Sequence, residues 1–371
     1  MPLRYTLLLA SSLLAAPAYA AGPEAIPVDT VADAYVHPHQ RIEVEPGRRM
    51  NLYCEGTGSP TVVFDSGLSD WSSTWALIQP ALATRTRTCS YDRPGMGYSD
   101  PARRPSTPLN IVSDLHTLLA RAGVTGPLLL VGHSLGGFNM KLYAAMHPDQ
   151  VAGAVLVDPA QDRSLDRVVV PALRTRFGDK LVDEAVAAGP SSFGGAIQHF
   201  RDCADKTRAG KLDDAAYADC TDPVRPALGP TILAERRRLQ ASVAYQDSQL
   251  AEVASCVYAP DAKADAEYAR LFGAPHPLGD MPLVVLTHSI WDMSPPFGEL
   301  AYAGSMAADR QTAALSTRGS ERMVEDSHHN IQVDHPQAVI DAAAEVLDAI
   351  QKDGGQRVGK AAEAASLRSA D

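Results

Sequence analysis

The sequence predicts an α/β protein with a mostly parallel central sheet flanked by helices. Short β-rich runs alternate with helical segments along most of its 371 residues, an order typical of parallel strands joined by crossover helices. Two of these runs, residues 128–131 and 154–157, are continuously apolar, as expected of strands covered on both faces. With 45% apolar and 21% charged residues, the composition indicates a globular protein and excludes collagen-like, coiled-coil and disordered chains.

The charge balance bears on the class of partner. The chain has 33 basic and 44 acidic residues and a net charge of -11. Proteins that bind nucleic acid cluster Lys and Arg to neutralise phosphates, so no nucleic-acid partner is expected. The one dense basic run, residues 236–238, is interpreted as a solvated helix face.

Residues 1–20 have the pattern of a signal peptide. Arg4 supplies the positive charge, residues 7–16 form an apolar stretch, and residues 18–20 read Ala-Tyr-Ala, which is the small-x-small pattern of a cleavage site. The apolar stretch is well short of the ~20 residues that span a bilayer. We therefore expect cleavage after Ala20, no integral membrane segment in the mature chain, and export to a periplasm or to the medium.

The first part of the α/β core is assigned to residues 41–159, after a Pro-containing N-terminal arm at residues 21–40. Apolar residues at helical spacing predict a helix at residues 108–122, and a second helix is predicted at residues 135–147. Gly, Pro or Asp bounds each of the early β-rich runs. The predicted strands of this part are residues 41–44, 50–54, 61–64, 86–90, 128–131 and 154–157.

The β pattern is absent between residues 160 and 275, which are rich in Ala, Arg, Asp and Leu. This composition predicts a helical insertion with a long helical run at residues 231–257. The second part of the core, residues 276–351, is predicted to hold two strands and a final amphipathic helix at residues 336–350. Those strands are residues 282–287 and 322–324. Gly, Ala, Ser and charged residues predict a flexible tail at residues 352–371.

Five cysteines are candidates for disulfides if the chain is exported, because an oxidising compartment preserves such bonds. Cys203 and Cys220 bracket a polar stretch with helical segments and form the first predicted pair. Cys54 and Cys89 each end a β-like run and form a second possible pair across neighbouring strands, with Cys256 left over. The sequence has no C-x-x-C motif and no His/Cys cluster at ligand spacing, so no metal site is predicted.

Residues 132–136 read Gly-His-Ser-Leu-Gly, a G-x-S-x-G motif between an apolar strand and a helix. That context is the test for a nucleophile elbow, a turn that strains Ser134 and exposes its hydroxyl. Glycine at both ends lets the strand and the helix approach closely. Leu135 then offers its main-chain N–H at a helix start, where a developing oxyanion is stabilised.

With three further segments, this motif makes residues 41–351 resemble the α/β-hydrolase superfamily. Asp65 and Ser66 stand where a histidine is usual in that family, and His328 stands where glycine is usual. The resemblance implies the α/β-hydrolase fold, with residues 160–275 as a helical cap. The three segments are Phe64-Asp65-Ser66-Gly67-Leu68 after a strand, Tyr91-Asp92-Arg93-Pro94-Gly95-Met96-Gly97-Tyr98-Ser99, similar to a D-x-x-G-x-G-x-S loop, and Ser327-His328-His329-Asn330-Ile331, which matches an S-G-H-x-I segment.

The resemblance implies a Ser-His-acid triad. A serine hydroxyl needs a base to remove its proton, and His329 aligns with the family's histidine, with its neighbour His328 as the alternative. The family's oxyanion donors correspond to the N–H groups of Leu68 and Leu135.

The acid should lie between serine and histidine in the chain, and two carboxylates fit. Asp158 directly follows the run at residues 154–157 and resembles the acid of some secreted lipases. Asp292 follows the strand that carries the acid in most family members, one residue later than usual. Asp158 is preferred, and the choice stays open at this point.

The predicted function is that of an exported serine hydrolase acting on a small-molecule carboxylic ester, with no cofactor. Alternatives are an amidase or aminopeptidase of the same superfamily, or a non-catalytic binding module on this scaffold. Trp71 and Trp75 follow the oxyanion loop, and His133 lies inside the elbow; these three are candidate pocket residues, with plain packing as the other interpretation. The sequence predicts neither the substrate's identity nor the oligomeric state.

Overall fold

The computed structural model describes residues 23–368, and residues 355–368 are described by their backbone alone. The predicted signal peptide at residues 1–20 lies outside the described residues. In the described part, no helix is both long enough and apolar enough to span a membrane.

Eight strands of the described chain form one sheet in the order β1-β2-β4-β3-β5-β6-β7-β8. Strand β2 runs antiparallel to both of its neighbours, and the other adjacent pairs are parallel. The predicted fold, a mostly parallel sheet flanked by helices, is confirmed. The strands are β1 (Gln40–Glu45), β2 (Arg48–Glu55), β3 (Thr61–Asp65), β4 (Thr88–Tyr91), β5 (Leu128–His133), β6 (Val151–Val157), β7 (Leu283–His288) and β8 (Gly319–Val324).

The helices cover both faces of this sheet, and half of them lie between β6 and β7. In chain order they are α1 (Gln79–Ala83), α2 (Pro108–Arg121), α3 (Leu135–Met146), α4 (Asp166–Phe177), α5 (Asp179–Arg208), α6 (Asp214–Cys220), α7 (Gly229–Gln240), α8 (Val243–Ser255), α9 (Ala262–Phe272), α10 (Gly298–Ala313), α11 (Ile331–Asp334) and α12 (Pro336–Arg368).

The sheet has a hydrophobic core on each face, and successive residues of β5 alternate between the two. Leu128 and Leu130 pack in the core that α2 and α3 cover. Leu129 and Val131 pack in the other core, which α1 and α12 cover. Both faces of β5 are therefore buried, and this explains why the strand is continuously apolar.

The predicted insertion is helical and comprises α4 to α9. The single run predicted at residues 231–257 is two helices, because the chain turns after Gln240 and starts α8 afresh. The side chain of Ser242 accepts a hydrogen bond from the N–H of Tyr245 at 3.1 Å, the bond of an N-cap residue. Serine at this position thus favours a new helix start over continuation of α7.

Both ends of the described chain contain secondary structure that the sequence analysis does not predict. In the arm, Tyr35 is buried, packs edge-on against Tyr53, and donates its hydroxyl to Gln79 at 3.3 Å. At the other end α12 runs to Arg368, so the described part of the predicted tail, residues 352–368, is helical, and its flexibility stays a prediction. Residues 361–368 are mostly alanine and other strong helix formers, which favour this continuation.

Both predicted disulfides are present. Cys54 and Cys89 are direct partners across the antiparallel pair β2 and β4. Cys203 in α5 is bonded to Cys220 at the end of α6. Cys256 is free and buried.

We expect a double Cys203→Ser/Cys220→Ser variant to lose about 3 kcal/mol of unfolding free energy in a urea titration. The bridge closes a segment with a sequence separation of 17, and removing it restores the freedom of that segment in the unfolded chain. Mass spectrometry of a non-reducing digest should find the two peptides linked. A Cys256→Ala variant is the control and should retain both links, whereas free thiols at 203 and 220 in the unaltered protein would contradict the assignment.

Candidate functional site

Ser134 lies at the turn from β5 into α3 with φ of +52°, a strained value for a residue with a side chain. A Cβ at Gly132 would come within 2.4 Å of the carbonyl oxygen of Gly136. A Cβ at Gly136 would come within 2.3 Å of the carbonyl oxygen of Asp65. Glycine is therefore required on both sides of the serine, as the elbow motif predicts.

Main-chain hydrogen bonds hold this strained turn. The N–H of Ser134 donates to the carbonyl of Val157 at 3.0 Å, and the N–H of Ala160 donates to the carbonyl of Ser134 at 2.9 Å. Both partners lie at the end of the adjacent strand β6 or just beyond it. The elbow is thus fastened to the segment that contains Asp158.

Asp158 and His329 form a hydrogen-bonded pair beside Ser134. His329 lies in the loop between β8 and α11, and its Nδ1–H donates to Oδ2 of Asp158. Asp158 is buried, whereas the His329 side chain is 49% exposed. Both residues and Ser134 line the same cavity. A neutral His329 that donates from Nδ1 keeps Nε2 unprotonated, which is the form a general base requires.

The pKa of Asp158 is well below its ordinary value. Burial alone would raise this pKa, but hydrogen bonds from His288 and His329 outweigh burial and stabilise the carboxylate. Asp158 is consequently a fixed negative charge next to the imidazole of His329.

The alternative acid and the alternative base lie apart from this pair. Asp292 is exposed, and its carboxylate accepts the N–H of Ser294 at 2.9 Å. Hydrogen bonds from the side chain and then the main chain of Ser294 lower the pKa of Asp292. His328 is exposed, with Nδ1 at 3.5 Å from the carboxylate of Asp334. The geometry therefore brings Asp158 and His329 together and leaves Asp292 and His328 outside.

A second imidazole, which the sequence analysis missed, contacts the same carboxylate. His288 ends β7, and its Nδ1–H donates to Oδ2 of Asp158 at 2.7 Å. Strands β6 and β7 are parallel neighbours with Val157 opposite Leu286, so the residues that follow them meet at the same sheet edge. The position of His288 at a strand end was the sequence signal that could have identified it.

The loop at residues 66–70, which is called the oxyanion loop below, passes next to the elbow. A Cβ at Gly67 would lie 3.5 Å from Cβ of Ser134. Leu68 is partly buried and lines a smaller cavity together with Ser134. Leu135 is the first residue of α3. Both residues thus lie next to Ser134, and their role as oxyanion donors stays a prediction.

Arg93 binds the main chain of the oxyanion loop. Its guanidinium is fully buried and donates to the carbonyls of Ser66 and Gly67. The same guanidinium pairs with Asp65 at 2.7 Å and with Glu252 of α8 at 2.6 Å. Burial alone would lower the pKa of Arg93, but the two carboxylates hold it well above the usual value. Asp65, which replaces the family's usual histidine, is therefore half of a buried ion pair.

The helical insertion contacts the oxyanion loop directly. Glu252 accepts the N–H of Ser69 at 2.6 Å. The buried carboxylate of Asp70 pairs with Arg225 at 2.6 Å and with Arg236 at 2.8 Å. All three of these charged partners come from the insertion, so the loop is held from both sides.

The two tryptophans proposed for the pocket pack elsewhere. Trp71 is buried beside Tyr245 and under the guanidinium of Arg236. Trp75 lies in the core and donates its Nε1–H to Ser66 at 3.0 Å. Neither is among the residues that line the two cavities at Ser134, which favours the alternative interpretation, plain packing.

His133 does line the smaller cavity. It is buried, and its Nε2–H donates to the carbonyl of His329 at 2.9 Å. Burial, followed by the nearby His329, lowers the pKa of His133 to about 3. His133 is therefore a neutral support for the loop that carries His329.

Two cavities open at Ser134 and differ in character. The larger has a volume of about 730 Å³, and α4 and α10 supply most of its apolar lining. The smaller, of about 300 Å³, has several charged and amide side chains in its lining. Apolar residues of the larger cavity are Leu165, Val169, Leu173, Leu300, Ala301 and Ala308. Polar residues of the smaller cavity include Asp70, Asp219, Asp222, Arg225 and Gln249.

Two groups of side chains in the described part have metal-ligand atoms close together. The first is Asp158, His288 and His329, in which both imidazoles already donate Nδ1–H to the carboxylate. The second is His199, Cys203 and Asp219, in which Cys203 is bonded in a disulfide. Neither set offers three free ligand atoms in this arrangement, and the expectation of no metal stays a prediction.

Comparison with known proteins identifies the fold. A family model described as the alpha/beta hydrolase fold matches residues 60–185. The chain is 25% identical over 211 residues to the 2-(acetamidomethylene)succinate hydrolase of Mesorhizobium japonicum, a match that covers 57% of this chain and 72% of that protein. In the first four curated relatives the matched segment covers only 16% to 45% of the relative.

Solved structures extend the likeness over most of the chain. A thermophilic esterase from Thermogutta terrifontis superimposes with a TM-score of 0.53 at 19% identity, covering 84% of this chain and 99% of the esterase. The epoxide hydrolase CorEH superimposes with a TM-score of 0.52 at 18% identity, covering 85% and 99%. Proteins with different reactions thus share this fold, and the reaction must be argued from the site.

We expect Glu252→Ala to lower the free energy of unfolding by about 3–5 kcal/mol, because it leaves Arg93 buried with one carboxylate lost. Urea denaturation followed by circular dichroism measures the change. Glu267→Ala is the matched control, since it breaks an exposed glutamate–arginine pair with Arg270 and should leave the midpoint essentially unchanged. Equal midpoints for both variants would contradict the importance of the buried pair.

Proposed function

We propose that this chain, which has the α/β-hydrolase fold, is an exported serine hydrolase that cleaves small-molecule carboxylic esters. The observation that carries the proposal is the hydrogen bond from His329 to the buried Asp158, with Ser134 in the same cavity. Export is supported by the signal-peptide pattern at residues 1–20 and by the two disulfides.

In the proposed reaction, Ser134 Oγ attacks the ester carbonyl while Nε2 of His329 accepts the hydroxyl proton. Asp158 stabilises the imidazolium that forms. The main-chain N–H groups of Leu68 and Leu135 donate to the oxyanion. His329 returns its proton to the departing alcohol, and a water molecule, activated by His329, then hydrolyses the acyl-enzyme and restores Ser134.

The larger cavity supports an apolar acyl group. Part of its lining comes from α4 and α10, whose side chains there are mostly aliphatic, and such a surface favours burial of hydrocarbon. The serine at the elbow also favours acyl transfer over the epoxide hydrolase branch of the superfamily, which resembles this fold but has aspartate there.

A second candidate is an amidase or aminopeptidase, and one feature favours it. Asp219 and Asp222 of the insertion line the smaller cavity beside Ser134, where a carboxylate would bind a free amine. However, Asp222 pairs with Arg225 at 2.7 Å, which neutralises that charge, so the ester is preferred. Assaying a matched aminoacyl ester and aminoacyl amide should give hydrolysis of the ester; faster hydrolysis of the amide would favour the second candidate.

We expect Ser134→Ala to lower kcat for a p-nitrophenyl ester by at least about 10³-fold and to abolish labelling by a fluorophosphonate probe, because the nucleophile is lost. His329→Ala should have a comparably severe effect, whereas His328→Ala, which removes the exposed neighbouring imidazole, is the control. A folded Ser134→Ala protein with most of its activity would refute the proposal. Failure of the unaltered protein to react with the probe would favour a non-catalytic binding module.

We expect Asp158→Asn to reduce kcat severely and Asp292→Asn to leave it nearly unchanged, because only Asp158 contacts His329. The substitution replaces the carboxylate with an amide and so removes the charge that orients the imidazole. Steady-state kinetics on the same ester measure both variants. Similar mild losses in the two variants would mean that neither residue is the triad acid.

A further inference from the structure

The carboxylate of Asp158 has more hydrogen-bond donors than a triad needs. Oδ2 accepts the Nδ1–H groups of both His329 and His288, and Oδ1 accepts the main-chain N–H of His288 at 3.3 Å. His288 therefore contacts both oxygens, whereas His329 contacts one. Two of the three donors thus come from His288, a residue to which the proposed reaction gives no role.

His288 is itself rigidly held. Its ring stacks on the indole of Trp291, with centroids 3.9 Å apart and planes inclined by 20°. The Nε1–H of Trp291 donates to the carbonyl of His288 at 3.0 Å. The residue is buried at the end of β7, so packing fixes its two donor groups independently of Asp158.

Asp158 needs such support, because its main chain is strained and its side chain is buried. Its φ of +46° is unfavourable for a residue with a Cβ. A buried carboxylate also loses free energy for each lone pair without a donor. With His329 alone, the carboxylate would keep one donor to one oxygen and could rotate about its last bond.

We propose that His288 is a positioning residue that fixes the carboxylate plane of Asp158 and thereby the imidazole of His329; this inference rests on the proposed function. His288 acts through Asp158 and transfers no proton in the reaction. Its edge lines the larger cavity, so a substrate contact is the competing role that the experiment must separate.

The test compares His288→Leu with His288→Asn, each measured per active site after fluorophosphonate titration. Leucine fills the space but removes the side-chain donor, whereas the asparagine amide N–H replaces the Nδ1–H. We expect His288→Leu to lower kcat about 10- to 100-fold with KM nearly unchanged, as loss of a hydrogen bond to a charged group implies. His288→Asn should restore most of kcat.

The pH profile gives a second readout. In His288→Leu the carboxylate of Asp158 has one donor fewer, so its charge acts more strongly on His329 and favours the protonated imidazole. The acid limb of the kcat/KM profile should therefore move to higher pH in His288→Leu. It should not move in His288→Asn. The other titratable groups around the pair are present in both variants. They include His133, Asp222, Arg225, Tyr258 and Asp309.

Four outcomes would overturn the inference. The first is a kcat for His288→Leu within twofold of the unaltered protein, and the second is an equal loss of kcat in both variants. The third is a rise in KM alone, which would indicate a substrate contact. The fourth is a fall only in the fraction of active sites, which would indicate a folding role.

A readout without catalysis separates this inference from the proposed function. In ¹⁵N-histidine NMR of the unaltered protein, two imidazole N–H protons should be hydrogen-bonded to Asp158 and both should shift in Asp158→Asn. Detection of one such proton would overturn the role of His288 even if the esterase assay succeeds. Two protons together with an inactive unaltered protein would uphold the geometry and refute the proposed function instead.

Discussion

Arg93 places a buried positive charge between the sheet and the helical insertion. Its guanidinium binds Asp65 at the end of β3, Glu252 in α8, and two carbonyls of the oxyanion loop. Leaving any of these charges without its partner would cost several kcal/mol in a dry interior. The loop can consequently take only the path that satisfies Arg93, and that path puts Leu68 beside Ser134. The position of the proposed oxyanion donor thus depends on an ion pair whose residues line neither of the two cavities at Ser134.

The order of the strands explains why the remaining site residues meet. Strands β5, β6, β7 and β8 are consecutive in the sheet and parallel. Ser134, Asp158 and His288 come at or directly after the ends of three of them, and His329 comes in the loop after the fourth. Carboxyl ends of parallel strands share one sheet edge, so four distant parts of the chain converge without long loops. The strained main chain at Ser134 and Asp158 is held by bonds between these same ends.

Much of this arrangement was predictable, because it follows from local patterns. Continuous apolar runs identify the buried strands, and glycine spacing identifies the elbow at Ser134. The choice between Asp158 and Asp292 needed the course of the chain after β7, which no periodicity encodes. The choice between pocket and packing for Trp71 stayed open, because sequence adjacency to the oxyanion loop does not fix which way a side chain points. The partners of Arg93 lie 28 and 159 residues away, and only tertiary packing reveals such contacts.

The anchoring of the oxyanion loop by the insertion also limits how this architecture can be recombined. Grafting a foreign cap onto this core would remove both guanidinium partners of Asp70 and would leave Arg93 with Asp65 as its one carboxylate partner. Glu252 belongs to α8, Arg236 to α7 and Arg225 to the segment before α7. Helix α4, by contrast, contributes mainly aliphatic lining to the larger cavity. Substitutions that change substrate preference are therefore expected to disturb the fold less in the first half of the insertion than in the second.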